Sequence, residues 1–252
     1  MKQTRHNIAV SLERAAQNFP NNTAIAVPHT DTSISFAELN DESSRVASGL
    51  TQYGFKKGDR VLLLVPFGIE FISLAFALFK AGTVPVLIDP GLGRKNILKC
   101  IEEAEPQGMI TIPLAHAIAQ IFRKPFQSVR NKITVGSRWF WGGKTLDDIR
   151  KLADPNPTFP KILSDDPAAI LFTSGSTGSP KGVLYTHGMF LSQLNALRSC
   201  YDIQPGEIDL PTFPLFALFG VGIGMTSILP EMDFTRPAKV NPEMILQTAT
   251  AQ

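Results

Sequence analysis

Between Val61 and Ile88 the chain reads as a strand, a helix and a second strand, a better reading of its apolar stretch Val61–Phe79 than a membrane span. Val61-Leu-Leu-Leu-Val65 is a short continuous apolar run, the pattern of a strand covered on both faces. Pro66-Phe-Gly68 turns the chain, the spacing predicts a helix from Ile69 to about Lys80, and Gly82 closes it. Val84-Pro-Val-Leu-Ile88 is the next strand, with Pro85 better suited to an edge or a bulge because it offers no N–H to a ladder. Asp89-Pro-Gly91 is a turn, and helix follows to about Ala104. Upstream, Ser35-Phe-Ala-Glu38 has the form of a capping box, ahead of a helix with Leu39, Val46, Ala47 and Leu50 at helical spacing and Gly54 at its end. Such repetition predicts an α/β fold of layered, mostly parallel sheets with flanking helices.

Farther along, Ile133-Thr-Val135 reads as a strand, Arg138 to Gly143 as a loop, and Asp154 to Pro160 as a proline-rich connector. Trp139 and Trp141 in that region could line a site, but aromatic residues in a connector more often cover a small satellite core. Ala168 to Phe172 and Gly182 to Tyr185 read as strands, His187 to Tyr201 as a helix, and another strand–turn–helix unit begins near Ile208. A last helix starts after Pro242. Two α/β subdomains are expected, residues 1–185 and the incomplete start of a second over residues 186–252. Leu210 to Pro230 holds no charged residue and is long enough to span a bilayer. Its Pro211, Pro214, Gly220, Gly222 and Gly224 would break a lipid-exposed helix, so buried strand, loop and helix is the better reading.

The 252 residues carry 24 basic and 22 acidic side chains, and that balance gives no reason to expect a nucleic-acid binder. Cys100 and Cys200 are far apart and form no pairing or zinc motif, which fits a reducing cytoplasm. The polar start of the chain does not read as a signal peptide. His187, without a second His or carboxylate nearby in sequence, is expected to cap or pack. Asp165 and Asp166 are expected to be a solvated pair, and no metal site is assignable.

The chemistry is concentrated in Thr173-Ser-Gly-Ser-Thr-Gly-Ser-Pro-Lys181. Gly175, Gly178 and Gly182 permit backbone angles closed to other residues, so successive N–H groups can converge on one anion. Thr173, Ser174, Ser176 and Thr177 add short hydroxyl donors, Pro180 stiffens the exit, and Lys181 supplies one compact positive charge. A generic Gly/Ser tract is usually a linker, but here a strand precedes it and another follows. The spacing of a Walker loop is absent.

Leu171-Phe-Thr-Ser-Gly-Ser-Thr-Gly-Ser-Pro-Lys-Gly-Val183 resembles the AMP-binding signature of the adenylate-forming superfamily, which holds acyl-CoA synthetases, peptide-synthetase adenylation domains and luciferases. Ser35 to Leu39, Gly58-Asp-Arg-Val61 and Ala81-Gly-Thr-Val-Pro85 are similar to that family's N-terminal region. The resemblance implies a truncated N-terminal domain of the adenylate-forming fold. It implies attack of a carboxylate on the α-phosphate of ATP, with release of pyrophosphate and formation of an acyl adenylate. Thr173, Ser174, Gly175, Ser176, Thr177, Gly178 and Lys181 would then surround the β- and γ-phosphates. The ligand for Mg2+ is expected outside this chain, CoA is a candidate second substrate, and the chain alone is not expected to adenylate.

After Pro214-Leu-Phe216 the family pattern has a His, and this chain has Ala217. That departure puts a CoA-thioester second step in question. The surrounding sequence, with Leu87 to Gly91, Trp141-Gly-Gly143 and Pro230 to Pro237, is similar to the olefin-biosynthesis branch. There the β-hydroxyl of a long-chain acid closes a β-lactone. Phe213, Phe216, Ala217, Phe219 and Gly220 would suit a pocket for an alkyl chain, with core packing as the alternative. Expected partners are a fatty or β-hydroxy acid, no nucleic acid, a peripheral membrane contact and other enzymes of the same pathway. A noncatalytic nucleotide-binding module is the reading from another class.

Overall fold

The computed structural model describes residues 6–173, 180–234, 236 and 239–250. Helix α3 (Ile69–Ala81) is buried continuously from Phe71 to Ala81, as a helix apolar on nearly every side must be. It is closed by Gly82, whose φ of 72° lies in the left-handed region that a side chain rarely adopts. A Cβ there would also come within 2.9 Å of Ile162 and Pro160 in the connector. Helix α2 (Phe36–Tyr53), packed against α3, begins with the expected capping box. Ser35 Oγ accepts from the Glu38 N–H at 3.2 Å, and Glu38 Oε2 accepts from the Ser35 N–H at 2.9 Å.

Lys80 is an exception in this apolar helix. Its ammonium is buried and donates to Asn40 O, Asn40 Oδ1, Ser43 Oγ and Ser44 Oγ, each at 2.8 Å. Burial pushes its pKa down to about 8, against the pull of Glu13 and Asp41. The cation pins α3 to the second turn of α2, where an apolar side chain could not.

Two sheets flank this layer. The larger has seven strands in the order β7-β6-β5-β3-β4-β8-β9. They are β3 (Arg60–Leu64), β4 (Val84–Ile88), β5 (Gly108–Thr111), β6 (Asn131–Thr134), β7 (Lys144–Thr145), β8 (Pro167–Thr173) and β9 (Lys181–Thr186). All neighbours run parallel except β8 and β9. On its other face, α4 (Arg94–Ala104) and α5 (Pro113–Ile121) enclose a second core of Leu62, Val86, Met109, Ile101, Ala119 and Phe126.

Pro85 corrects one expectation, because β4 is central, between β3 and β8. The Val84 N–H donates to Asp59 O on the β3 side. By alternation, position 85 would donate toward β8, whose ladder with β4 begins only at Val86. Pro85 therefore lies at the start of the β4–β8 pairing, where its missing N–H removes no rung from within that ladder.

The smaller sheet has the order β10-β11-β1-β2, formed by β1 (Thr23–Val27), β2 (Thr32–Ser35), β10 (Ile208–Asp209) and β11 (Thr226–Ile228). Ile25 pairs with Ser227 and Ala26 with Ile228, so strands from both sides of the 185/186 boundary share one sheet. The remaining helices are α1 (Ala9–Asn18), α6 (Leu146–Lys151), α7 (His187–Cys200), α8 (Pro214–Ile223) and α9 (Pro242–Thr250). The uncharged stretch Leu210–Pro230 thus becomes a loop, α8 and β11. No helix among the described residues is long and apolar enough to cross a membrane.

Candidate functional site

The expected phosphate loop joins β8 to β9. Its last described rung pairs Thr173 with Lys181, next to Phe172 with Gly182, and both Thr173 and Lys181 are exposed at the mouth. Ser174, Gly175, Ser176, Thr177 and Gly178 lie outside the described residues. Gly182 is glycine for a different reason from the one expected. Its backbone is not left-handed, but a Cβ would come within 2.9 Å of the Phe172 ring across the rung. The ring lies over the glycine, which leaves it the room a side chain would take.

From β9 a line of rings leads to the helix expected to wall the acyl site. Tyr185 stacks on Phe190 of α7 with centroids 5.1 Å apart, and Phe190 meets Phe219 of α8 edge-on at 5.9 Å. The five expected acyl-pocket residues divide between two directions. Phe213 and Phe216 are 50% and 51% exposed and form an edge-to-face pair at 5.8 Å. Ala217, Phe219 and Gly220 are buried on the core side of α8. Ala217 has no exposed surface, so the position that carries a His in the family pattern is enclosed by packing here.

Sequence reasoning passed over Asp209. A Cβ on Gly220 would come within 2.7 Å of Asp209 Oδ2 and 3.1 Å of Ser227 Oγ, so the glycine lets α8 lie directly on β10 and β11. Burial pushes the Asp209 carboxyl up to about 6. Its only sequence signal was a carboxylate abutting a long uncharged stretch. Because the folded-state value is raised, the associated stability is present below the ordinary value and lost as pH rises through about 6. A shift of this size corresponds to at most about 3 kcal/mol, and partial exposure reduces that to about 1–2 kcal/mol. Asp209→Asn is expected to stabilise the fold by that amount at pH 8 and to give no gain near pH 4. Equal gains at both pH values in urea unfolding would refute the assignment.

His187 is fully buried, its Nδ1 accepts from the Ile8 N–H at 3.2 Å, and its ring meets Phe79 edge-on. Burial, opposed by Asp166, lowers its pKa to about 4, so it stays neutral and packs the start of the chain against α7. Asp165 is exposed as expected, but Asp166 is half-buried. It forms an ion pair with Lys57 at 2.6 Å and accepts from the Leu163 N–H at 2.7 Å. Trp141 is buried, donates to Thr134 Oγ1 at 2.9 Å and stacks on His116 at 5.2 Å, whereas Trp139 is exposed. Among the described residues no group of three or more His, Cys, Asp or Glu could hold a metal ion.

Known proteins share both the sequence and the architecture. The chain is 44% identical to an olefin β-lactone synthetase of Xanthomonas campestris over 97% of its length, covering 46% of that protein. It is 30% identical to a long-chain-fatty-acid–CoA ligase of Mycobacterium tuberculosis over 91% of its length, again covering 46% of the relative. The chain thus spans about half the length of the curated relatives it matches. A solved fatty acyl-CoA synthetase of Mycobacterium tuberculosis superposes with a TM-score of 0.77 at 28% identity, over 90% of this chain and 45% of that one. A profile described as AMP-binding enzyme matches residues 12–232. With the strand–loop–strand signature seated at the edge of the larger sheet, the chain belongs to the AMP-binding family of adenylate-forming enzymes.

Proposed function

We propose that this chain is part of an enzyme that activates a long-chain β-hydroxy acid with ATP and closes the activated acid to a β-lactone. The observation that carries the reading is the 44% identity to an olefin β-lactone synthetase along nearly the whole chain, against 30% to the long-chain ligase. In the first step a carboxylate oxygen attacks the α-phosphorus of ATP and pyrophosphate departs. In the second, the substrate's own β-hydroxyl attacks the acyl carbon, AMP leaves and the hydroxyl proton is released. Adenylate-forming enzymes use ATP with Mg2+, which neutralises phosphate charge when bound.

The residues of this chain would act mainly on the departing pyrophosphate. Thr173, Ser174, Gly175, Ser176, Thr177 and Gly178 supply hydroxyl and backbone N–H donors, and Lys181 a charge, where negative charge builds during displacement. Phe213 and Phe216 offer an exposed aromatic surface to an alkyl chain. Each methylene buried there is worth ~0.8 kcal/mol, enough for a few contacts to separate long acids from short ones. An enclosed Ala217 in place of a polar ring supports a second step without an incoming thiol, because intramolecular attack needs no second site.

The complete enzyme should convert ATP and a β-hydroxy fatty acid to lactone and AMP without CoA. A thioester formed only with CoA would overturn this reading in favour of a fatty acyl-CoA ligase.

A further inference from the structure

The outer face of α5 and the loop after β6 each expose large apolar side chains, within a stretch of chain whose charges are all basic. Helix α5, Pro113-Leu-Ala-His-Ala-Ile-Ala-Gln-Ile121, contains no Asp, Glu, Lys or Arg. Its inner side is fixed by Ala119 in the second core and by His116, whose Nε2 bonds Ile133 O at 3.0 Å. Leu114, Ile118 and Ile121 follow at helical spacing on the other side, and Leu114 and Ile121 are 65% and 74% exposed. The aromatic loop adjoins this helix because Trp141 stacks on His116. Trp139 and Phe140 each meet Trp141 at 5.4 Å and are themselves 61% and 77% exposed. Four large apolar side chains therefore stand in water, Leu114 and Ile121 on the outer side of α5 and Trp139 and Phe140 beside the buried Trp141–His116 stack.

The charge around them has one sign. From residue 106 to residue 146 the chain has no Asp or Glu, and it has Arg123, Lys124, Arg130, Lys132, Arg138 and Lys144. Three acidic groups on the adjoining elements are engaged locally, while Glu103 and Glu105 stand at the end of α4. Glu102 of α4 pairs with Lys124 at 2.6 Å, Asp147 of α6 accepts from Arg150, and Asp148 closes the capping box of α6 with Thr145. A surface-lying helix with an apolar outer stripe, flanking Trp and Phe and surrounding Lys and Arg has the composition of an interfacial element. A protein groove of the same apolar character would not require the exclusion of acids over so long a stretch.

We propose that the α5 face and the Trp139–Phe140 loop seat the protein on an anionic lipid surface. Trp139 and Phe140 enter at headgroup depth, Leu114 and Ile121 lie along the boundary, and the cations meet lipid phosphates. The site is separate from the β8–β9 loop and goes beyond the proposed reaction. Its test reads binding, so its failure would leave the catalytic reading untouched.

The measurement uses the whole protein with phosphatidylcholine vesicles, with and without phosphatidylglycerol. The protein should co-sediment with the anionic vesicles, less so at high salt, and its tryptophan emission should shift to the blue. Trp139→Phe should abolish the shift while binding persists. Ile121→Gln with Phe140→Ser should weaken partitioning at least about tenfold without lowering Tm, since both side chains are exposed. Absence of vesicle binding, equal partitioning of the double variant, or a shift that survives Trp139→Phe would overturn the proposal. So would a double variant that changes only the oligomeric state in solution, which would make the face a protein interface.

Discussion

Val in place of Gly175 is expected to lower ATP–pyrophosphate exchange by the complete enzyme at least about a hundredfold, with the fold intact. Loss of one preorganised donor to a developing oxyanion typically costs ~10²–10³ in rate. A β-branched side chain in the middle of Thr173–Lys181 would do more than remove one donor. It would restrict the backbone angles on which several N–H groups depend, and it would stand where phosphate oxygens must approach. The same change at Gly178 should have the same consequence. A large loss of exchange with unchanged Tm separates this from a folding defect. Wild-type exchange in either variant would remove the loop from the chemistry.

Val at Gly49 should have the largest effect on stability among single changes in the helical layer. Gly49 lies in α2, where α6 crosses it, and a Cβ would fall 2.0 Å from Ile149 O and 2.8 Å from Ile149 C and Cγ2. The obstruction is backbone, so no side-chain rotation relieves it. A helix gains a few tenths of a kcal/mol from exchanging Gly for Val, through propensity alone. Overpacking against a fixed neighbour costs typically 1–3 kcal/mol and occasionally more. The steric effect wins, and a net loss of about 3 kcal/mol is expected, or roughly 10 °C in Tm for a domain of this size. A thermal melt within a degree or two of wild type would show that α6 can move away freely.

Much of the architecture was legible because its signals are local. The Ser35–Glu38 box, the helix from Ile69, the Gly82 stop and the apolar runs at Val61 and Ala168 each depend on residues within one turn or one strand. The position of Pro85 was misjudged because the direction of its missing donor depends on where β8 begins to pair, some eighty residues later. The same distance effect hid the join between β1 and β11, whose partners Ile25 and Ser227 nothing in either segment announces. Trp139 and Trp141 are alike in sequence, and only the presence of His116 and Thr134 beneath one of them made it core.

Sequence by itself pointed to the AMP-binding family and proposed Thr173–Lys181 as its phosphate loop, because a loop of that kind would be made of small, donor-bearing residues in consecutive order. It also determined the strand–helix alternation, which follows from side-chain periodicity. Only the tertiary structure decided which candidate side chains face outward. It turned Phe213 and Phe216 to solvent, enclosed Ala217, buried the carboxyl of Asp209 against Gly220, and placed Lys80 among four oxygen acceptors. Those outcomes depend on burial and on partners distant in the chain, and burial belongs to the packed assembly of elements, not to any one of them.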